Sequence, residues 1–125
     1  MTFQDLNLNT PLYNAIEDLG FEKPTPIQAQ AFNLVASGKD MVGIAQTGTG
    51  KTFAYMLPIL RHLKYSRQDN PRILVLVPTR ELVVQVVNEI EKLSTYINNR
   101  VLGVYGGTNI NTQKQAVAQG QDIIV

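Results

Sequence analysis

Residues 45–52 read Ala-Gln-Thr-Gly-Thr-Gly-Lys-Thr, a run of small residues and hydroxyls ending in a cation. Glycines such as Gly48 and Gly50 let a backbone turn so that several N–H groups converge on one anion. A helix starting at the end of the run would add the partial positive charge of its N-terminus. Lys51 then stands where it can reach the β- and γ-phosphates of a nucleoside triphosphate, and Thr52 where its hydroxyl can meet a magnesium ion. Gln46, Thr47 and Thr49 complete the loop. The strict phosphate-loop pattern opens on Gly, and Ala45 departs from it. Without a strand before it and a helix after it, the run is only a Gly-rich turn.

A second candidate lies upstream, in Gly20-Phe21-Glu22-Lys23-Pro24-Thr25-Pro26-Ile27-Gln28. A glutamine amide can accept from the adenine amino group and donate to the ring nitrogen beside it. Guanine presents the opposite pattern at its six position, so the same amide discriminates against GTP. Thr25 and Pro26 would fix the start of the helix that aims Gln28. Phe3 is either a hydrophobic plug or a ring stacked on the adenine face.

The elements that must position these residues follow from punctuation and periodicity. Thr10 and Pro11 open a helix that Gly20 ends, with Leu12, Ile16 and Leu19 on one face. Thr25 and Pro26 open a second that runs to Gly38, with Ile27, Ala31 and Leu34 inward. Met41–Ala45 is too short for a helix and reads as a buried strand. A helix runs from near Gly50 to Lys64, bent at Pro58, and residues 65–71 form a polar loop. Ile73–Val77 suits a parallel strand covered on both faces. Arg80–Tyr96 is a long helix with Leu82, Val86, Ile90 and Leu93 inward. Val101–Tyr105 is a third strand, Thr108 caps a helix to Ala118, and Gln121–Val125 is a fourth strand. Alternating strands and helices predict an α/β fold, a parallel sheet flanked by helices. His62 reads as exposed, Asp69-Asn70 as a loop tip, and Glu89, Glu91 and Lys92 as a solvated helix face.

Composition narrows the classes. The chain has 125 residues, enough for one core, and an apolar share of 44% that argues against disorder. A net charge of +1 means that any nucleic-acid surface is a local patch. The absence of cysteine excludes disulfides and thiolate zinc sites and allows a reducing compartment. No apolar run approaches membrane-spanning length, and Thr-Phe-Gln-Asp after Met1 is not a secretory signal, so a cytoplasmic protein is expected.

The ordered set of Phe3, the Gly20–Gln28 segment, the Ala45–Thr52 loop, Pro78-Thr79-Arg80-Glu81-Leu82 and Gly106-Gly107 resembles the opening motifs of DEAD-box RNA helicases. These are the Q motif, motif I, motif Ia and the Gly-Gly motif. In that family motif I usually starts with Ala, so Ala45 supports the resemblance. The resemblance implies a RecA-like P-loop NTPase fold, incomplete in this chain. Residues 1–125 would be the N-terminal portion of the ATP-binding domain, with the Q-motif region at about 2–30 and the P-loop, motif Ia and Gly-Gly region at 41–125. It implies that Phe3 and Gln28 hold adenine with Phe21 and Lys23 nearby, and that residues 46–52 hold phosphates and Mg2+. It implies that Pro78, Thr79, Arg80 and Glu81, with Gly106, Gly107 and Thr108, face the RNA sugar–phosphate backbone, which reads no sequence.

The family's Asp-Glu-Ala-Asp and Ser-Ala-Thr segments do not occur in residues 1–125. In the family's sheet their strands lie between the motif I and motif Ia strands. The resemblance therefore implies a sheet split in the middle, and residues 1–125 alone that are unstable, aggregate or pair with another chain. Alternatives are a nucleotide-binding piece without hydrolysis, another phosphate-loop ATPase such as a DNA helicase, and an interaction domain keeping only the fold. Gln28 with Phe3 weighs against a different ATPase, and Lys51 with Thr52 against a bare interaction domain.

Overall fold

The computed structural model describes residues 1–46, 48, 50–64 and 67–125. It divides into two compact units, Met1–Lys64 with Lys92–Ile97, and Tyr65–Glu91 with Asn98–Val125. Each has its own logic.

The first unit is helical. A 3-10 turn at Phe3–Asp5 precedes α1 (Thr10–Asp18), α2 (Pro26–Ala36) and α3 (Lys51–His62). Helix α3 packs against both α2 and α1. Leu12, Ile16, Phe32, Met56, Leu57 and Leu60 are almost wholly buried, each contributing about 1.5–3 kcal/mol by leaving water. Helix α3 continues through Pro58, which is itself buried. Asn9, not Thr10, caps α1: its side chain accepts the Leu12 N–H. The buried face of α2 is Gln28, Ala31 and Phe32, one residue away from the expected Ile27, Ala31 and Leu34, and Leu34 is 44% exposed. The face turns because Phe32 is the larger apolar payload and Gln28 finds hydrogen bonds inside, which offsets the cost of burying an amide.

The second unit holds the sheet. Strands β1 (Ile73–Leu74), β2 (Val101–Leu102) and β3 (Ile123–Ile124) are parallel in the order β1-β3-β2, with Ile73 and Val101 both opposite Ile123. Backbone bonds extend the ladders to Val75 on Ile124 and Val104 on Val125. Helix α4 (Arg80–Leu93), which belongs to this unit as far as Glu91, buries Val83, Val86, Ile90 and Leu93, so Val83 takes the place expected of Leu82. Gly103 allows this packing, since a Cβ there would lie 2.9 Å from the Val83 side chain. Helix α5 (Ile110–Ala118) is capped by Asn109, not Thr108. At the start of the ladder, buried Asp122 accepts from Arg72 at 2.9 Å and from the Arg100 N–H at 2.8 Å. Burial pushes the Asp122 carboxyl up, but the bonds from Arg100 and Arg72 outweigh it and hold it below its ordinary value.

The strands are shorter than the apolar runs that encode them. Met41–Ala45 forms no strand: Val42 is 87% and Ile44 91% exposed, and the run has no ladder partner among the described residues. A strand exists only through its ladder, so the apolar pattern alone leaves this segment without one and exposed. On the open side of β1, Leu74 and Leu76 are likewise exposed. His62, Glu91 and Lys92 are exposed as expected, whereas Glu89 is half-buried.

Candidate functional site

The phosphate-loop residues meet the start of α3 in the first unit. Gly50 is the N-cap, with φ +78°, a left-handed backbone that strains any residue with a Cβ. Gly48 has φ +83°. Gly50 has no side chain to cap α3, and among the described residues no side chain caps its first turn, where the helix dipole is positive. Lys51 is exposed, and its Nζ donates to the Ala45 carbonyl at 2.8 Å, folding across the loop. Gln46 is exposed and Thr52 half-buried, while Thr47 and Thr49 lie outside the described residues.

Gln28 joins this loop. Its Oε1 accepts the Thr25 N–H at 3.0 Å, and its Nε2 donates to the Gly50 carbonyl at 3.2 Å. An amide offers two lone pairs and two N–H donors, so one of each remains beyond these two bonds. Thr25 and Gln28 form a capping box at the start of α2, and the buried Thr25 hydroxyl has no acceptor for its proton among the described residues. A Cβ on Gly50 would collide with the Gln28 amide and come within 3.6 Å of that hydroxyl. The glycine is therefore needed for its conformation and for the space.

The aromatic residues divide differently from the simplest reading. Phe3 is only 3% exposed, and its N–H donates to the Glu22 carbonyl, so it braces the Phe21–Glu22 segment from inside. The open ring is that of Phe21, half exposed and edge-on to Phe53 at 5.8 Å. Phe3, Gln4, Tyr13, Gly20, Phe21 and Glu22 wall a cavity of about 380 Å³. Gln28 is not in its wall, and Lys23 is exposed.

A second cluster lies in the other unit. Pro78, Thr79, Arg80 and Glu81 are exposed where α4 begins, and the Thr79 hydroxyl accepts the Leu82 N–H at 3.2 Å. Gly106, Gly107 and Thr108 are exposed in the turn after β2. The two segments meet through Arg80, whose guanidinium lies over the Tyr105 ring at 5.0 Å. Its Nη1 is 3.7 Å from where a Gly107 side chain would begin. Tyr105 and Gln113 were missed by the sequence reading. Tyr105 passes there for the end of a strand, and Gln113 for an ordinary polar position on a weak helix. An aromatic residue directly before a double glycine was the available signal. Among the described residues, no group of three or more His, Cys, Asp or Glu side chains could hold a metal.

Comparison with known proteins gives the family and the fold. Residues 25–125 match the family model described as DEAD/DEAH box helicase. The chain is 45% identical over 125 residues to ATP-dependent RNA helicase DeaD of Escherichia coli (strain K12), covering 99% of this chain and 20% of that protein. It is 42% identical over 122 residues to the probable ATP-dependent RNA helicase DDX46 of Homo sapiens, covering 94% of this chain and 12% of that one. It thus spans a fifth or less of the length of these relatives. Its fold matches a DEAD box protein from the hyperthermophile Methanococcus jannaschii with TM-score 0.91 and 36% identity, over all of this chain and 34% of the other. It matches the RNA-helicase Prp28 from Chaetomium thermophilum bound to ADP with TM-score 0.87 and 35% identity, over 98% and 31% of the two chains. The α/β fold is thus the RecA-like one expected, present in part. With the family model matched over residues 25–125, the chain belongs to the DEAD/DEAH box helicase family.

Proposed function

We propose that the protein is an ATP-dependent RNA helicase, and that residues 1–125 supply its adenine- and phosphate-binding half and part of its RNA grip. The observation that carries this is the joining of Gln28 to Gly50: the side chain suited to adenine is bonded to the residue that opens the phosphate-binding helix. Three further features fit a nucleotide. The N-terminus of α3 has no side-chain cap among the described residues. The buried Thr25 hydroxyl has no acceptor for its proton among the described residues, so a ligand atom there would gain a hydrogen bond. A protein of the same fold is known with ADP bound.

In this reading Phe21 and Lys23 border the base, and Phe3 supports them from beneath. Gln28 reads the adenine edge with its remaining donor and acceptor. The backbone of residues 46–52 receives the phosphates, and Lys51 leaves the Ala45 carbonyl to pair with them. Mg2+ fits the donor set, because it prefers oxygen ligands and shares its shell with phosphates and water, so the Thr52 hydroxyl suffices from this segment. When bound, Mg2+ neutralises phosphate charge. Residues 1–125 carry no Asp-Glu-Ala-Asp stretch, so orientation of the attacking water falls to groups elsewhere in the protein. Pro78, Thr79, Arg80 and Glu81, with Gly106, Gly107 and Thr108, take the RNA sugar–phosphate backbone. No helix among the described residues is long and apolar enough to cross a membrane, and the proposed setting is the cytoplasm.

The test is RNA-stimulated ATP hydrolysis by the whole protein. Lys51→Ala removes the cation that meets the phosphates and is expected to abolish turnover. Undiminished RNA-stimulated turnover in that variant would refute the assignment.

A further inference from the structure

The segments proposed to hold RNA do not stand independently, and what joins them is not among the residues proposed to touch RNA. Arg80 is exposed, and an arginine side chain loses substantial rotamer freedom when a phosphate fixes it. Here its guanidinium already lies over the Tyr105 ring at 5.0 Å, within cation–π range. Such a contact holds the planar fork in place while leaving its N–H groups free to donate, since the ring takes only its face.

Tyr105 is held in turn. The Gln113 side chain on α5 brackets its backbone: Oε1 accepts the Tyr105 N–H at 3.2 Å, and Nε2 donates to the Tyr105 carbonyl at 2.8 Å. Nε2 also bonds the Thr108 hydroxyl, which donates to the Tyr105 carbonyl at 3.3 Å. One amide therefore ties down both ends of the Gly106-Gly107 turn. In a pair of strands a neighbouring backbone supplies this donor and acceptor. At Tyr105 a single side chain supplies both, and the two glycines of the turn that follows are exposed. Helix α5 thus sets Tyr105, and Tyr105 sets Arg80.

We propose that Tyr105 and Gln113 are positioning residues that pre-orient Arg80 and the Gly106-Gly107 turn for the RNA backbone. The proposal rests on the reading that Arg80 meets an RNA phosphate, and the experiment separates the two. The whole protein is titrated with a fluorescently labelled single-stranded oligouridylate across a salt series, with a non-hydrolysable ATP analogue present.

Arg80→Ala is expected to weaken binding and lower the salt slope by about one, as for loss of one phosphate contact. If it changes neither, the RNA reading of Arg80 fails and the proposal falls with it. Tyr105→Leu is expected to weaken binding roughly two- to fivefold, the size of an exposed cation–π contact. Tyr105→Phe, which keeps the ring, should restore what Tyr105→Leu loses. In an Arg80→Ala background Tyr105→Leu should add nothing, because it acts only through the guanidinium. If Arg80→Ala weakens binding while Tyr105→Leu is neutral or fully additive, the positioning role is wrong and the RNA reading stands. Should Tyr105→Leu fail to fold, Gln113→Met decides. It keeps the bulk of the side chain and removes the bracket, and unaltered RNA affinity in it overturns the proposal.

Discussion

The Gln28 side-chain amide donates to the Gly50 carbonyl at 3.2 Å while its oxygen holds the Thr25 N–H at 3.0 Å. One buried side chain thus ties the start of α2 to the start of α3. For the whole protein, Gln28→Ala is expected to narrow the preference for ATP over GTP and to weaken both. Titration of the two nucleotides against the variant checks this. An unaltered ATP-to-GTP ratio counts against an adenine-reading role.

Gly50→Ala probes the same joint from the other side. The substitution places a Cβ at φ +78° and drives it into the Gln28 amide. The left-handed backbone alone costs about 1–2 kcal/mol for a residue with a side chain, and the collision adds to it. The expected outcome is loss of nucleotide affinity by more than about tenfold, since two costs of that size compound. Wild-type affinity in Gly50→Ala would mean that this loop conformation is not the one that binds.

Asp122 makes the second unit sensitive to acid. Its carboxyl is held below its ordinary value of 3.8, so its contribution to stability is complete above that value. It is lost as pH falls through the depressed value in the folded state. Melting curves should therefore show stability dropping from about pH 4 downward. Asp122→Asn should remove that share of the pH dependence and cost about 1–3 kcal/mol, discounted because Arg72 and Arg100 are partly solvated. A pH profile unchanged by the substitution would show that the carboxylate does not carry it.

Val42 and Ile44 in one unit, and Leu74 and Leu76 in the other, expose more than half of their surface. Exposed apolar segments of this kind invite association. Residues 1–125 expressed alone are expected to aggregate or self-associate. A cooperative melt of a monodisperse monomer of residues 1–125 would overturn that expectation. Val42→Lys together with Leu76→Lys should raise the soluble fraction, as charge on an open strand does.

Local chemistry made much of the fold legible. The prolines at 11 and 26 and the glycines at 20 and 38 bounded α1 and α2, and the periodicity of Val86, Ile90 and Leu93 placed α4. What failed depended on partners distant in sequence. Met41–Ala45 has the composition of a buried strand, but pairing cannot be read from composition. The face of α2 was set by hydrogen bonds available to Gln28 from Gly50, 22 residues away. At the site, the glycines and Lys51 were legible because backbone geometry and charge dictate their types. Tyr105 and Gln113 were not, since each acts through another residue.

The strand order β1-β3-β2 has a consequence for biogenesis. The middle strand, Ile123–Ile124, is the last of the three to leave the ribosome, and among the described residues both outer strands pair only with it. Until it emerges, β1 and β2 have no ladder between them, and Arg72 and Arg100 have no Asp122 to share. The nascent second unit must therefore wait some fifty residues of synthesis after β1 before its sheet can close. Contacts this distant in sequence form slowly. At the usual pace of synthesis that interval lasts on the order of seconds, during which the ladder groups of β1 stay open to whatever binds unfolded chains.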